Sequence, residues 1–141
     1  MFGLEMAVLR AGTPLFHGTR CAGDYGIPDG PAWFAYTRGS AAKWIDWSAR
    51  LPEGRHPGER RVLHSAAARD AVLLDTSRAA DWHRLSDALT GDPEADVRWV
   101  ARCLAGKADG WMGRAEVMLC APERWLLATG AEPDNGKVAS G

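Results

Sequence analysis

Short apolar runs separated by glycine- and proline-rich breaks set the rhythm of this chain, and most runs are too short for helices. Residues 1–9 form a modestly apolar lead-in, read as a short strand before the Gly12-Thr13-Pro14 turn. A strand over 15–19 then runs from two apolar positions into an imidazole, a glycine and a hydroxyl. Glycines and prolines make 21–31 a loop, and Ala32-Trp33-Phe34-Ala35-Tyr36 is a compact aromatic strand. Ser40 is the expected N-cap of a helix over 41–50, in which Ala41, Trp44, Ile45 and Ser48 share one face. After a loop over 51–59, strands are expected at 61–65 and 71–75. Ser77 can cap a helix reaching Leu89, with Trp82, Leu85 and Leu89 inward. Asp92-Pro93 predicts another helix start, with Val97, Val100, Ala101 and Leu104 on one stripe and a stop at Gly106. Asp109-Gly110 reads as a turn, 115–120 as a strand and 124–128 as one more.

Strands outnumber long helices and do not alternate with them, which predicts one α+β domain over 1–129 and a flexible tail over 130–141. The missing βαβ rhythm and Gly-rich first turn argue against a Rossmann fold. With 17 Lys plus Arg against 18 Asp plus Glu, no global field attracts nucleic acid or a membrane. Cys21, Cys103 and Cys120 have no paired spacing, against a disulfide framework or zinc site and for a reducing compartment. With no signal peptide or apolar run of spanning length, the expected location is cytoplasmic, with export as an effector left open.

The chemistry concentrates in Leu15-Phe16-His17-Gly18-Thr19-Arg20, where a glycine lets another molecule approach the backbone closely. A lone His-Gly-Thr is ordinarily a strand end with a packed histidine. Here thirteen residues separate Thr19 from Trp33-Phe34-Ala35, Trp44 follows eleven residues after Trp33, and Glu116 lies in a late strand. In order and spacing these motifs resemble the ADP-ribosyltransferases, in the branch with a His, an aromatic and a Glu on successive core strands. That branch includes the poly(ADP-ribose) polymerases.

The resemblance implies a split β-sandwich core, NAD as substrate and no metal. It implies Glu116 and His17 as catalytic residues, and His17, Gly18, Thr19, Arg20, Trp33, Phe34, Ser40 and Trp44 as NAD-binding residues. The chemistry suits those types. A pyridinium sits well against indole, worth about 1–2 kcal/mol when dry. A carboxamide needs one donor and one acceptor, which the Gly18 backbone offers. A carboxylate beside the ribose places negative charge where positive charge develops. His17 and Thr19 would hold ribose hydroxyls, and Arg20, ahead of Arg38, would meet the pyrophosphate. His17, Trp44 and Glu116 are expected to line one cleft with the Gly18 backbone exposed to it.

Three departures narrow the activity. Ala41 stands where serine is common in the family, with Ser40 beside it. Arg114 occupies the position two before Glu116, which argues against arginine as the acceptor. The segment before Trp33 is too short for a polymerase's long insert, which argues against polymer elongation. The expected function is mono-ADP-ribosyl transfer to a macromolecule or small molecule, nucleic acid included, as a bacterial toxin, effector or housekeeping modifier. The alternatives are an NAD glycohydrolase, an RNA 2′-phosphotransferase (against which Glu116 speaks), a rifamycin-type transferase, or a non-catalytic module. Structural readings stand beside these roles: Trp33 and Trp44 as core, Glu116 facing solvent, Cys21 as an idle thiol rather than a nucleophile.

Overall fold

The computed structural model describes residues 1–21, 26–48 and 58–133. The short apolar runs become strands: β1 Met6–Leu9, β2 Pro14–Cys21, β3 Ala32–Ala35, β4 Glu59–Ala67, β5 Ala71–Asp75, β6 Gly110–Met112, β7 Glu116–Leu119 and β8 Leu126–Pro133. Three helices, α1 Arg38–Ser48, α2 Ala79–Thr90 and α3 Val97–Leu104, complete an α+β fold. In space the strands run β1-β5-β6-β7-β3-β2-β4-β8. Among the described strands, β5 and β6 pair in parallel and the other neighbours are antiparallel, most of them between strands distant in sequence.

Alternation along the strands divides the apolar residues between two faces. One face carries Leu15, Phe34, Val117 and Leu119 into a common core with Leu9, Ala71 and Leu126. Those last residues come from opposite ends of the strand order, so the sheet curls around this core. The other face is covered by helices. Over β5, β6 and β7, Leu85, Val100 and Leu104 of α2 and α3 pack on Leu74, Trp111 and Met118. Trp111 anchors this layer, edge-on to Trp33 at 5.8 Å and tilted against Trp82 at 5.3 Å. Over β2 and its neighbours, α1 places Ala41 and Ile45 against Ala35 and Val62.

The helix starts differ from the sequence expectation, each for a local reason. Thr37, not Ser40, caps α1: the Ser40 backbone N–H donates to the Thr37 hydroxyl at 3.2 Å, so Ser40 sits inside the first turn. Ser77 does not cap α2; its hydroxyl donates to Asp75 at 2.7 Å, and α2 starts after Arg78 with no side-chain cap. Asp92-Pro93 forms a turn in which the Glu94 N–H donates to Asp92. Asp96 takes over as the cap of α3, accepting from Arg98 and Trp99 N–H groups at 2.9 and 3.3 Å.

Gly110 begins a strand rather than ending a turn, lying so close to β7 that a Cβ there would overlap the Met118 carbonyl. β8 continues beyond the expected end and through Gly130 to Pro133, paired along β4 with a bulge opposite the His64–Ser65 step. The expected helix end at Arg50, most of the 51–59 loop, part of the 21–31 loop and residues 134–141 lie outside the described residues. Among the described residues no helix is long and apolar enough to cross a membrane.

Candidate functional site at a split between two strands

β2 pairs with β4 along its whole length, from Pro14 to Cys21. With β3 it pairs only at Phe16 and Ala35. From His17 onward, therefore, the two motif strands part. The direction of their peptide groups follows from the ladder on the far side. Gly113 and Cys120 N–H groups bond Glu116 and Asp109 carbonyls at 2.8 and 3.0 Å, so Glu116, Met118 and Cys120 turn their backbone groups toward β6. Val117 and Leu119 then face Phe34 and Ala32, which leaves Trp33 and Ala35 directed at β2. Across the Phe16–Ala35 pair, Phe16 and hence Gly18 are directed at β3. Extending that register sets Gly18 opposite Trp33. The Trp33 carbonyl, however, accepts a hydrogen bond from His17 Nδ1 at 2.5 Å. The N–H and C=O of Gly18 thus point into the split.

His17 is defined by that bond. A nitrogen facing a carbonyl must carry the proton, so Nε2 of the neutral ring is an acceptor. Burial pushes the pKa of His17 below the usual histidine value, outweighing the opposite pull of its bond to Trp33. The ring packs at 5.2 Å on Phe34.

The glycine beside it seats the helix. A Cβ on Gly18 would overlap the Ala41 carbonyl and lie 2.8 Å from Ile45 Cγ1. Successive helix residues rotate by about 100°, so with Ala41 and Ile45 facing the sheet, Ala42 and Asp46 turn to one flank. Asp46 pairs with Arg60 of β4 and Arg38 with Glu132 of β8, which places that flank on the β4 side. Trp44 falls on the opposite flank, toward β3, with exposed Ser40 and Trp47 further round on the outer side of the helix. The indoles of Trp44 and Trp47 stack at 4.6 Å and 20°.

Glu116 lies at the start of β7 in the row Phe16–Ala35–Glu116, two strand spacings or about 10 Å from Phe16. This row shares the helical face with Gly18 and Arg20. The carboxylate rests on Gly113, where an added Cβ would lie 2.7 Å from Glu116 Oε1. Burial raises the Tyr36 pKa, and the Glu116 charge raises it further.

The expected single cleft, with the Gly18 backbone exposed to it, needs correction: Gly18 is buried beneath α1. Gly18, Arg20, Ser40, Trp44 and Glu116 share the helical face, whereas His17 belongs to the row of Phe34 and Val117 on the other and meets them only at the split. Antiparallel register is the physical reason: His17 and Glu116 are one residue out of phase. Phe34 is 1% exposed in the curled core, and Trp33 packs on Trp111. Thr19 is half-buried and paired with Arg61. Of the two arginines expected near phosphate, Arg38 is bound to Glu132, while Arg20 extends from the split strand.

Two neighbours of the site went unassigned in the sequence, Tyr36 and Trp47. The second was readable as the residue one turn beyond Trp44. Among the described residues no three His, Cys, Asp or Glu side chains gather to hold a metal. Burial, with the Asp109 charge adding to it, pushes the Cys120 thiol up to about 12, so it is inert at neutral pH. The Cys21 side chain lies outside the described residues. No protein-family model, curated protein or solved structure matches the chain.

Proposed function

We propose that the protein binds NAD at the split between β2 and β3, breaks the nicotinamide–ribose bond and passes ADP-ribose to an acceptor. The observation that carries this reading is Gly18, which lies beyond the single Phe16–Ala35 pair with its N–H and C=O on the β3 side, buried beneath α1. A donor and an acceptor on one residue match a carboxamide. Trp44 flanks the split from α1, and Arg20 continues the same face toward the phosphates.

In this reading the C1′–N bond breaks with its electron pair passing to the ring nitrogen, so nicotinamide leaves neutral. Glu116 turns from Gly113 toward the ribose, takes a hydrogen bond from the 2′-hydroxyl and stabilises the positive charge at C1′. The acceptor's nucleophilic atom forms the new bond to C1′ and releases its proton to water. His17, neutral and held by its bond to the Trp33 carbonyl, lies beside the ribose at the split. It is a binding group and not an acid.

The separation of His17 from Glu116 favours a second reading, in which the module binds NAD or a protein partner without catalysis. Both readings are tested by incubating the protein with NAD labelled in its adenosine half and an acceptor-rich lysate. Free nicotinamide with label on macromolecules or on a discrete adduct is the expected result. Nicotinamide with free ADP-ribose assigns water as the acceptor. NAD binding without nicotinamide release supports the non-catalytic module, and absence of binding overturns the NAD reading.

A further inference from the structure

The residue that the motifs leave out is Trp47. It is 47% exposed, yet its ring is not loose: it stacks on Trp44 at 4.6 Å with the planes only 20° apart. Trp44 stands on the flank of α1 opposite Asp46, Ala42 and Arg38, which occupy the flank over β4 and β8, and Trp47, about 200° beyond the inward-facing Ile45, stacks on it from the outer side of the helix. Trp44 is half-buried beneath Trp47. A large apolar ring left in water against a half-buried one is an unusual use of an indole, and stacking is what restricts it.

Resting on the NAD reading above, we infer that Trp47 is a positioning residue for the pyridinium. It backs Trp44, fixes that ring upright at the split, and leaves the ligand the opposite face of Trp44, so that bound NAD completes a three-layer stack. A single indole on a helix flank samples several rotamers, and a ligand stacking on it must select one. A second ring already in place makes that selection in the free protein, which favours binding without touching the bond that breaks. The pyridinium carries its charge before cleavage and loses it as nicotinamide departs. Whatever Trp47 contributes therefore belongs to the bound substrate rather than to the transition state.

Trp47→Ala and Trp47→Phe separate this role from a structural one. NAD binding is measured by calorimetry and by quenching of indole emission, and turnover by nicotinamide release. Thermal unfolding checks the fold. Trp47→Ala should raise KM and Kd for NAD by about three- to tenfold, within the range of one cation–π contact, with kcat little changed. Trp47→Phe, which keeps a ring, should recover most of the loss. In the free protein the far-UV signal of coupled indoles should be weaker in Trp47→Ala than in the wild type, the Trp33–Trp111–Trp82 cluster keeping its own share. The inference is overturned if Trp47→Ala binds NAD like the wild type. It is also overturned if kcat falls at unchanged KM, or if both variants lose binding together with thermal stability. Failure of the wild type itself to bind NAD would overturn the underlying reading, a result distinct from all of these.

Discussion

The helical face of this sheet has two halves built on different terms. Under α2 and α3 the strands are continuously paired and the interface is large and apolar, with Trp111, Leu85, Val100 and Leu104 each 1% exposed or less. Under α1 the interface is smaller, with Ile45 and Val62 packed among Ala35, Ala41 and Gly18, and the β2–β3 pairing beneath it stops at a single residue pair. The closed half uses its glycine, Gly110, to bring two strands together. The open half uses Gly18 to bring a helix down onto a strand whose other edge has parted from its neighbour. Close approach serves stability in one half and, in the proposed reading, seats α1 beside the recognition groups of the split in the other.

The largest expected effect lies in the closed half. Trp111→Ala should lower unfolding free energy by about 3–5 kcal/mol, as removal of a fully buried aromatic does, measurable by urea unfolding. Trp44→Ala should cost much less stability, because Trp44 is half-buried, and should instead weaken NAD binding by about tenfold. If the two substitutions destabilise equally, the halves are not different in kind.

The glycines sharpen the contrast. Alanine at either position forces backbone apart and should cost about 1–3 kcal/mol. Gly110→Ala is expected to lower stability and leave NAD affinity per folded molecule intact, whereas Gly18→Ala should lose both by lifting α1. Calorimetry on the folded fraction of each variant distinguishes them, and intact NAD binding by Gly18→Ala would remove Gly18 from the site.

The smallest effect is the pH dependence contributed by His17. Its folded pKa lies below the ordinary 6.5 because burial disfavours the cation. Above that ordinary value the ring is neutral in both states and its contribution is fully present. As pH falls through 6.5 toward the lowered folded value, the unfolded chain takes up a proton that the folded chain does not, and stability drops. His17→Asn can still donate to the Trp33 carbonyl but cannot titrate. Its melting temperature should fall less than that of the wild type between pH 8 and pH 5, and parallel curves would contradict the assignment.

Much of the fold was legible because local signals sufficed. β5 is a continuous apolar run bounded by polar residues and was readable in full. The inward stripe of α3 was equally plain, but its start was not. Asp92 and Asp96 both offer caps, and the choice falls to a contact between α2 and the turn after it: the Ser86 hydroxyl donates to the Asp92 carbonyl and accepts from the Ala95 N–H, which holds that turn out of the helix. β6 has three residues, one a glycine, and gives no periodic signal. At the candidate site, the sequence supplied the residue types and the motif strands, and β7, β3 and β2 are indeed neighbours. It could not supply phase. Whether His17 and Glu116 share a face depends on register across three strands, and the split depends on β2 following β4 rather than β3.

The central claim is that the split half of this face cleaves NAD and that Glu116 acts on the transition state. Glu116→Gln keeps the shape of the side chain and removes its charge. NAD affinity by calorimetry should match the wild type, while nicotinamide release should fall by about 10²–10³ in kcat, the size of a lost electrostatic stabiliser. A Glu116→Gln protein that releases nicotinamide at the wild-type rate would make Glu116 a hairpin residue resting on Gly113 and contradict the account.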